Sequence, residues 1–82
     1  MNSEITVDTT VDAFGLLCPL PIIRVATACK KLDSGKVIEL IATDPGVVQD
    51  MKDWCTANRH EYLSDEVEGR TIKVLLRKGS DW

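Results

Sequence analysis

Thr6-Val7-Asp8-Thr9-Thr10-Val11-Asp12-Ala13-Phe14-Gly15-Leu16-Leu17-Cys18-Pro19-Leu20-Pro21 contains a change of period that decides the fold. Over residues 6–13, Val7, Thr9, Val11 and Ala13 share one face while Thr6, Asp8, Thr10 and Asp12 take the other. That alternation is the mark of a half-buried strand. From Ile22 onward the apolar set Ile22, Val25, Ala26, Cys29 and Leu32 recurs on one helical face, with Arg24, Thr27, Lys30 and Lys31 opposite. A residue before proline is pushed away from the α region, so Leu20 is read as non-helical, Pro21 as the first helical position and Gly35 as the stop. The chain therefore passes from strand to helix through a turn at residues 15–21.

The same reading extends outward. Residues 37–42 are apolar except for Glu39, which predicts a more buried second strand. Asp44-Pro45 announces a second helix, because Asp caps free amides and Pro is tolerated at the first helical position. Val47, Val48, Met51, Trp54 and Cys55 form the core stripe of that helix. After Asn58 the pattern returns to strands at residues 61–67 and 71–78, separated by Glu68-Gly69, where Gly can supply a positive φ for a hairpin. The order is β-α-β-α-β-β in one domain over residues 1–82, an α+β two-layer sandwich with a four-stranded mixed sheet. Alternation in strands one, three and four leaves one sheet face wet, so both helices are expected on the other. The strand order stays open.

An 82-residue chain can fold alone but buries only about 60 to 65% of the surface its unfolded form exposes. The first ten residues are polar and acidic, and no apolar run approaches the ~18 residues of a membrane span, so a cytoplasmic protein is expected. A net charge of -3 works against direct nucleic-acid binding, which relies on clustered cations, and suits basic protein partners better. Three cysteines, an odd and sparse set, do not form the disulfide framework of a small secreted domain.

Cys18 stands just ahead of the first helix, where free amides and the helix dipole favour an anion. A thiol so placed is expected to have a lowered pKa and to be nucleophilic. Pro19 and Pro21 stiffen the turn, and Gly15 lets the chain leave the strand at an angle that keeps the sulfur accessible. Cys-x-x-Cys chemistry would need a thiol where Pro21 stands. If the helix begins at Pro21, Cys29 lies ~12 Å along it, too far for a disulfide that needs Cα atoms within about 7 Å. Cys29 is read as core. Cys55 is read as packing beside Trp54, with an auxiliary redox role as the alternative.

Residues 11–21, with Ala42-Thr43-Asp44-Pro45 and Leu76-Arg77-Lys78-Gly79, resemble the TusA/SirA-like sulfurtransferase family with its Cys-Pro-x-Pro motif. The resemblance spans nearly the whole domain. It implies that Cys18 accepts sulfane sulfur as a persulfide and passes it to a partner protein, with no bound cofactor. It also implies a donor of cysteine desulfurase or rhodanese-like type, an acceptor in tRNA thiolation, molybdenum cofactor assembly or sulfur oxidation, and a monomer when free. Leu17 departs from the family pattern, where the position before the cysteine is often polar or basic, so a local cation is missing. Asp44 is read as a helix cap and, through the resemblance, as a partner contact near the Cys18 turn. Arg24 and Lys30 are candidate docking residues, Arg24 being the one within potential reach of Cys18, although a solvated helix face also explains them.

Two other functions remain at this stage. One is a regulatory or adaptor module in which Cys18 only shapes the turn. The other is a thiol oxidoreductase pairing Cys18 with Cys55. His60 is read as a loop residue between the second helix and the third strand, and the Cys and His spacings lack the close pairs of a structural zinc site, so no metal is expected.

Overall fold

The computed structural model describes residues 6–80. Its elements are β1 (Thr9–Ala13), α1 (Leu20–Lys30), β2 (Val37–Ala42), α2 (Val47–Asn58), β3 (Glu61–Glu68) and β4 (Thr71–Arg77). The sheet order is β1-β2-β4-β3, with β1 and β2 parallel and the other neighbours antiparallel. This is the expected α+β sandwich with a mixed four-stranded sheet. The first ten and last few residues of the expected domain include positions outside the described range.

β4 shows why one sheet face is dry. Ile72, Val74 and Leu76 are buried while Thr71, Lys73, Leu75 and Arg77 are only partly covered, the alternation of a strand with a single core face. The register carries that face across the sheet, placing Val11 opposite Leu40 and Leu40 opposite Val74. Val25 and Cys29 of α1 and Val47, Met51 and Cys55 of α2 join these strand residues in one buried cluster, so both helices cover the same face. Leu40 is fully buried at its centre. Truncating such a residue to Ala typically costs about 2–5 kcal/mol.

Several boundaries differ from expectation. β1 begins at Thr9, because pairing with β2 starts there, and Asp8 is instead tied to Val37 by two reciprocal bonds of 2.9 Å, N–H to carbonyl and N–H to carboxylate. α1 begins one residue early, at Leu20, and ends at Lys30. Pro21 then falls at the second helical position, where a missing N–H still costs nothing because the first turn has no intrahelical acceptor. Gly35 lies beyond the helix end, at φ +89, in the turn that leads into β2. β3 lacks the expected alternation. It is the sheet edge, mostly exposed along its length, with a register shift between Tyr62 and Ser64 and several carboxylates, features that protect an edge from unwanted pairing.

α2 ends with Arg59 in the left-handed region at φ 61, and the His60 N–H returns to the Cys55 carbonyl at 2.9 Å. That cap lies against the C-terminal strand. A Cβ on Gly79 would collide with the Arg59 carbonyl oxygen, and the Gly79 N–H donates to His60 Nδ1 at 2.9 Å. Among the described residues no helix is long and apolar enough to cross a membrane.

Candidate functional site

Parallel pairing sets Ala13 opposite Ala42, so the chain leaves β1 and β2 side by side at the same end of the sheet. The two connections that follow are bonded to each other. Gly15, at φ +80 where only glycine sits without strain, donates its N–H to Thr43 Oγ1 at 3.0 Å. Three residues on, the Cys18 N–H donates to Asp44 Oδ2 at 2.9 Å. Within the first connection, Leu16 N–H reaches the Ala13 carbonyl at 3.1 Å and Leu20 N–H reaches that of Leu17 at 2.9 Å. The Cys18–Pro19 peptide is cis. Cys18 thus stands on a turn pinned to the neighbouring connection.

Asp44 is not the helix cap expected of it. α2 starts at Val47 with Gly46 at the capping position and no side-chain cap bond. Asp44 Oδ1 instead accepts the Gly46 N–H at 3.1 Å, closing a short local turn, while its second oxygen holds Cys18. One carboxylate braces both connections. Sequence placed Asp44 in the neighbourhood and assigned it the wrong partner.

The Cys18 thiol also departs from expectation. It is exposed, and its pKa is raised rather than lowered, first by a hydrogen bond to the Asp50 carboxylate, then by desolvation, and then by the negative charges of Asp50 and Asp44. The helix start offers little to offset them. Pro19 at the cap and Pro21 at the second helical position carry no N–H, so the start of α1 lacks two of the donors that would hold an anion. Asp50, in the first turn of α2, faces the thiol without an offsetting cation. Nothing in the linear sequence marks Asp50. Finding it requires knowing that β1 and β2 are parallel neighbours.

The other thiols have a different setting. Cys29 and Cys55 are free and fully buried in the core cluster. Burial pushes the Cys55 thiol up to about 12, and burial also raises that of Cys29, partly offset by Lys78. A thiol that seldom ionises and never meets solvent is a poor partner for exchange, so the Cys18 and Cys55 pairing of an oxidoreductase finds no support.

Arg24 lines a separate cleft between α1 and the free edge of β1, with Lys31 and Thr27, and is not among the groups that act on Cys18. Lys30 is exposed in the last turn of α1, about 15 Å along the helix from Leu20. Pro19 is exposed and Pro21 is buried in the core. His60 does sit between α2 and β3 but is buried, its ring 4.8 Å from that of Trp54. Among the described residues no group of three or more His, Cys, Asp or Glu could hold a metal ion.

Around Cys18 the surface is apolar. Leu17, Leu20 and Phe14 are 69%, 46% and 58% exposed, and Val67 on the facing hairpin is 61% exposed. A cleft of 520 Å³ runs from Gly15 and Leu17 past Asp44 to Val67 and Arg70 at the hairpin tip. Clustered large apolar side chains in water mark a contact surface. The expected missing cation beside the cysteine is in this respect a gain of apolar area.

Comparison with known proteins agrees with this picture. The model of the family described as sulfurtransferase TusA matches residues 9–78. YrkF of Bacillus subtilis (strain 168) is 42% identical over 71 residues, covering 87% of this chain but only 38% of its own length. YrkI of the same organism is 39% identical over 72 residues, covering 88% of this chain and 96% of its own. Both are provisionally named sulfur carrier proteins. The crystal structure of a SirA-like protein from Desulfitobacterium hafniense superposes with a TM-score of 0.71 at 28% identity, covering 88% of this chain and 99% of that one. From the extent of these matches, the chain belongs to the sulfurtransferase TusA family.

Proposed function

We propose that this protein is a sulfur carrier that takes sulfane sulfur from a donor protein as a persulfide on Cys18 and hands it to an acceptor protein. The observation that carries the proposal is that Cys18 is the one exposed thiol of three, on a braced turn ringed by exposed apolar side chains. The Cys18 thiolate attacks the outer sulfur of a donor persulfide, the donor S–S bond breaks, and the donor thiolate leaves and takes up a proton. In net terms Cys18–SH and R–S–SH become Cys18–S–SH and R–SH. Hand-over repeats the step with Cys18 as the leaving thiolate, so no oxidant or cofactor is consumed. Leu17, Leu20 and Val67 supply the apolar contact that brings the partner's cysteine to the exposed sulfur. The donor is of desulfurase or rhodanese-like type, and the acceptor belongs to tRNA thiolation, molybdenum cofactor assembly or sulfur oxidation.

The test is to incubate the protein with a desulfurase plus cysteine, or with a rhodanese plus thiosulfate, and to weigh it intact. Gain of one reducible sulfur atom, lost in Cys18→Ser, is expected. No gain, or a gain that survives the substitution, overturns the proposal.

A further inference from the structure

The two edges of the sheet are finished differently. β3 carries a register shift between Tyr62 and Ser64 and several carboxylates, whereas β1 pairs with β2 in unbroken register from Thr9 to Ala13 and contains no proline. The other side of β1 meets no strand among the described residues. An edge strand presents backbone N–H and C=O groups that an added strand can take up, and a regular edge without a bulge invites one. This edge opens on a cleft of 440 Å³, with residues 9–12 along one wall and Ile23, Arg24, Thr27 and Lys31 along the other. Positions 24, 27 and 31 are three and four apart, so they share one face of α1 and its C-terminal cap.

The charge of that helical wall is opposite to that of the molecule. Residues 14–32 hold Arg24, Lys30 and Lys31 and no carboxylate, although the chain as a whole has a net charge of -3. Among the described residues neither Arg24 nor Lys31 has an ion-pair partner. Val11 and Ala13 face the core, so Asp12 alternates to the other face of the sheet, where its Oδ1 accepts the Phe14 N–H at 3.0 Å and leaves the α1 cations unpaired. Ile23, beside Arg24 and 52% exposed, adds an apolar contact. A second copy of this chain fits the cleft poorly, because pairing two β1 edges about a dyad brings two cationic α1 faces together.

We propose that the free edge of β1 is a peptide-binding site, which takes an extended acidic segment of a partner protein as a fifth strand and pairs its carboxylates with Arg24 and Lys31. Because β1 and β2 are parallel and joined through α1, the helix runs back along the strands, and an added strand lies beside its cationic face. From position 24 to position 31 a helix advances ~10.5 Å. Carboxylates four residues apart on a strand share one face and are separated by ~13 Å, a mismatch that the long arginine and lysine side chains absorb. The residue midway between those acids meets the apolar part of the wall, so the segment recognised is acidic, apolar and acidic at alternate positions. Nothing in this site uses Cys18, and it stands or falls separately from the sulfur-carrier reading.

The experiment follows backbone amide shifts of the isotope-labelled full chain as a capped peptide, Thr-Glu-Thr-Val-Thr-Glu-Thr, is added. Saturable shifts in β1 and at positions 24–31 are expected. Replacing both glutamates of the peptide by lysine, or testing the Arg24→Glu/Lys31→Glu variant, weakens binding about tenfold or more, and added salt weakens it too. Arg24, Lys30 and Lys31 are exposed, so these variants keep the fold, and Lys30→Glu, which lies outside the cleft, stays within about twofold of the wild type. Two N-methylated peptides, each blocking one edge of the strand, separate backbone pairing from charge alone, since one binds and the other does not. No saturable shift at about millimolar peptide, equal binding of acidic and basic peptides, or the same response to both N-methylated forms overturns the proposal. Shifts of the same amides with protein concentration and no peptide assign the edge to a second copy and overturn it as well. Cys18→Ser binds the peptide as the wild type does, whatever the outcome of sulfur loading.

Discussion

Cys18 and Cys55 are the same side chain in opposite regions, one at the open end of the sheet and one in the interior, yet both have thiols that resist ionisation. The causes differ. Cys55 is raised by burial, which also denies access, whereas Cys18 is raised mainly by a carboxylate and remains open to solvent. Desolvation cannot be undone without opening the core, but a neighbouring charge can be neutralised by whatever docks against it. The difference teaches that access, and not the direction of the pKa shift, is what separates the two thiols.

The largest expected effect follows from access. In native protein, iodoacetamide should modify Cys18 roughly 100-fold faster or more than Cys29 or Cys55, which require local opening. Peptide mapping that finds comparable rates would erase the contrast. A second consequence is pH-dependent stability. The Cys55 pKa rises from 9.0 in the unfolded reference to about 12 in the fold, so its contribution is intact below pH 9 and is lost as pH climbs toward 12. The denaturant midpoint should fall across that window, and less steeply in Cys55→Ala.

The open end can be loosened separately. Asp44→Ala removes the acceptor of two backbone N–H groups and should cost about 1–2 kcal/mol in urea denaturation, with faster hydrogen exchange at Cys18 and the core amides little affected. Leu17→Glu should slow protein-donor loading about tenfold while leaving small-molecule alkylation within about twofold, because it disturbs docking and not the sulfur. An equal loss in both assays would tie Leu17 to the thiol. Thr43→Val removes the acceptor for Gly15 and should cost the least, about 0.5–1 kcal/mol.

The alternation around Val11 and Ala13, the 3.6-residue recurrence of Val25 and Cys29, and the glycine between β3 and β4 made the element order legible, because each reports only on its own neighbours. Cys18 was legible for the same reason, followed at once by Pro19 and then by Pro21. Its electrostatics were not. The helix start was expected to lower its pKa, and the prolines that advertised the motif are what strip that start of donors. Asp50 acts on Cys18 across 32 positions of sequence, through a parallel pairing that no local pattern encodes. Asp44 fell between these cases, since Asp-Pro correctly predicted a turn before a helix while the carboxylate found a stronger claim from the Cys18 N–H. β3 misled because an edge strand exposed along most of its length records no regular dry face.

The bond from the Cys18 N–H to Asp44 joins segments 26 residues apart and exists only once β1 lies beside β2. A chain emerging during synthesis, or one transiently unfolded, offers three chemically similar thiols to any sulfur donor. Folding buries two of them and leaves the third at the surface, so the choice of which thiol a partner can reach is made by chain topology before any partner arrives. On the sulfur-carrier function proposed above, a donor that docks at the braced end of the sheet thereby inspects the fold itself.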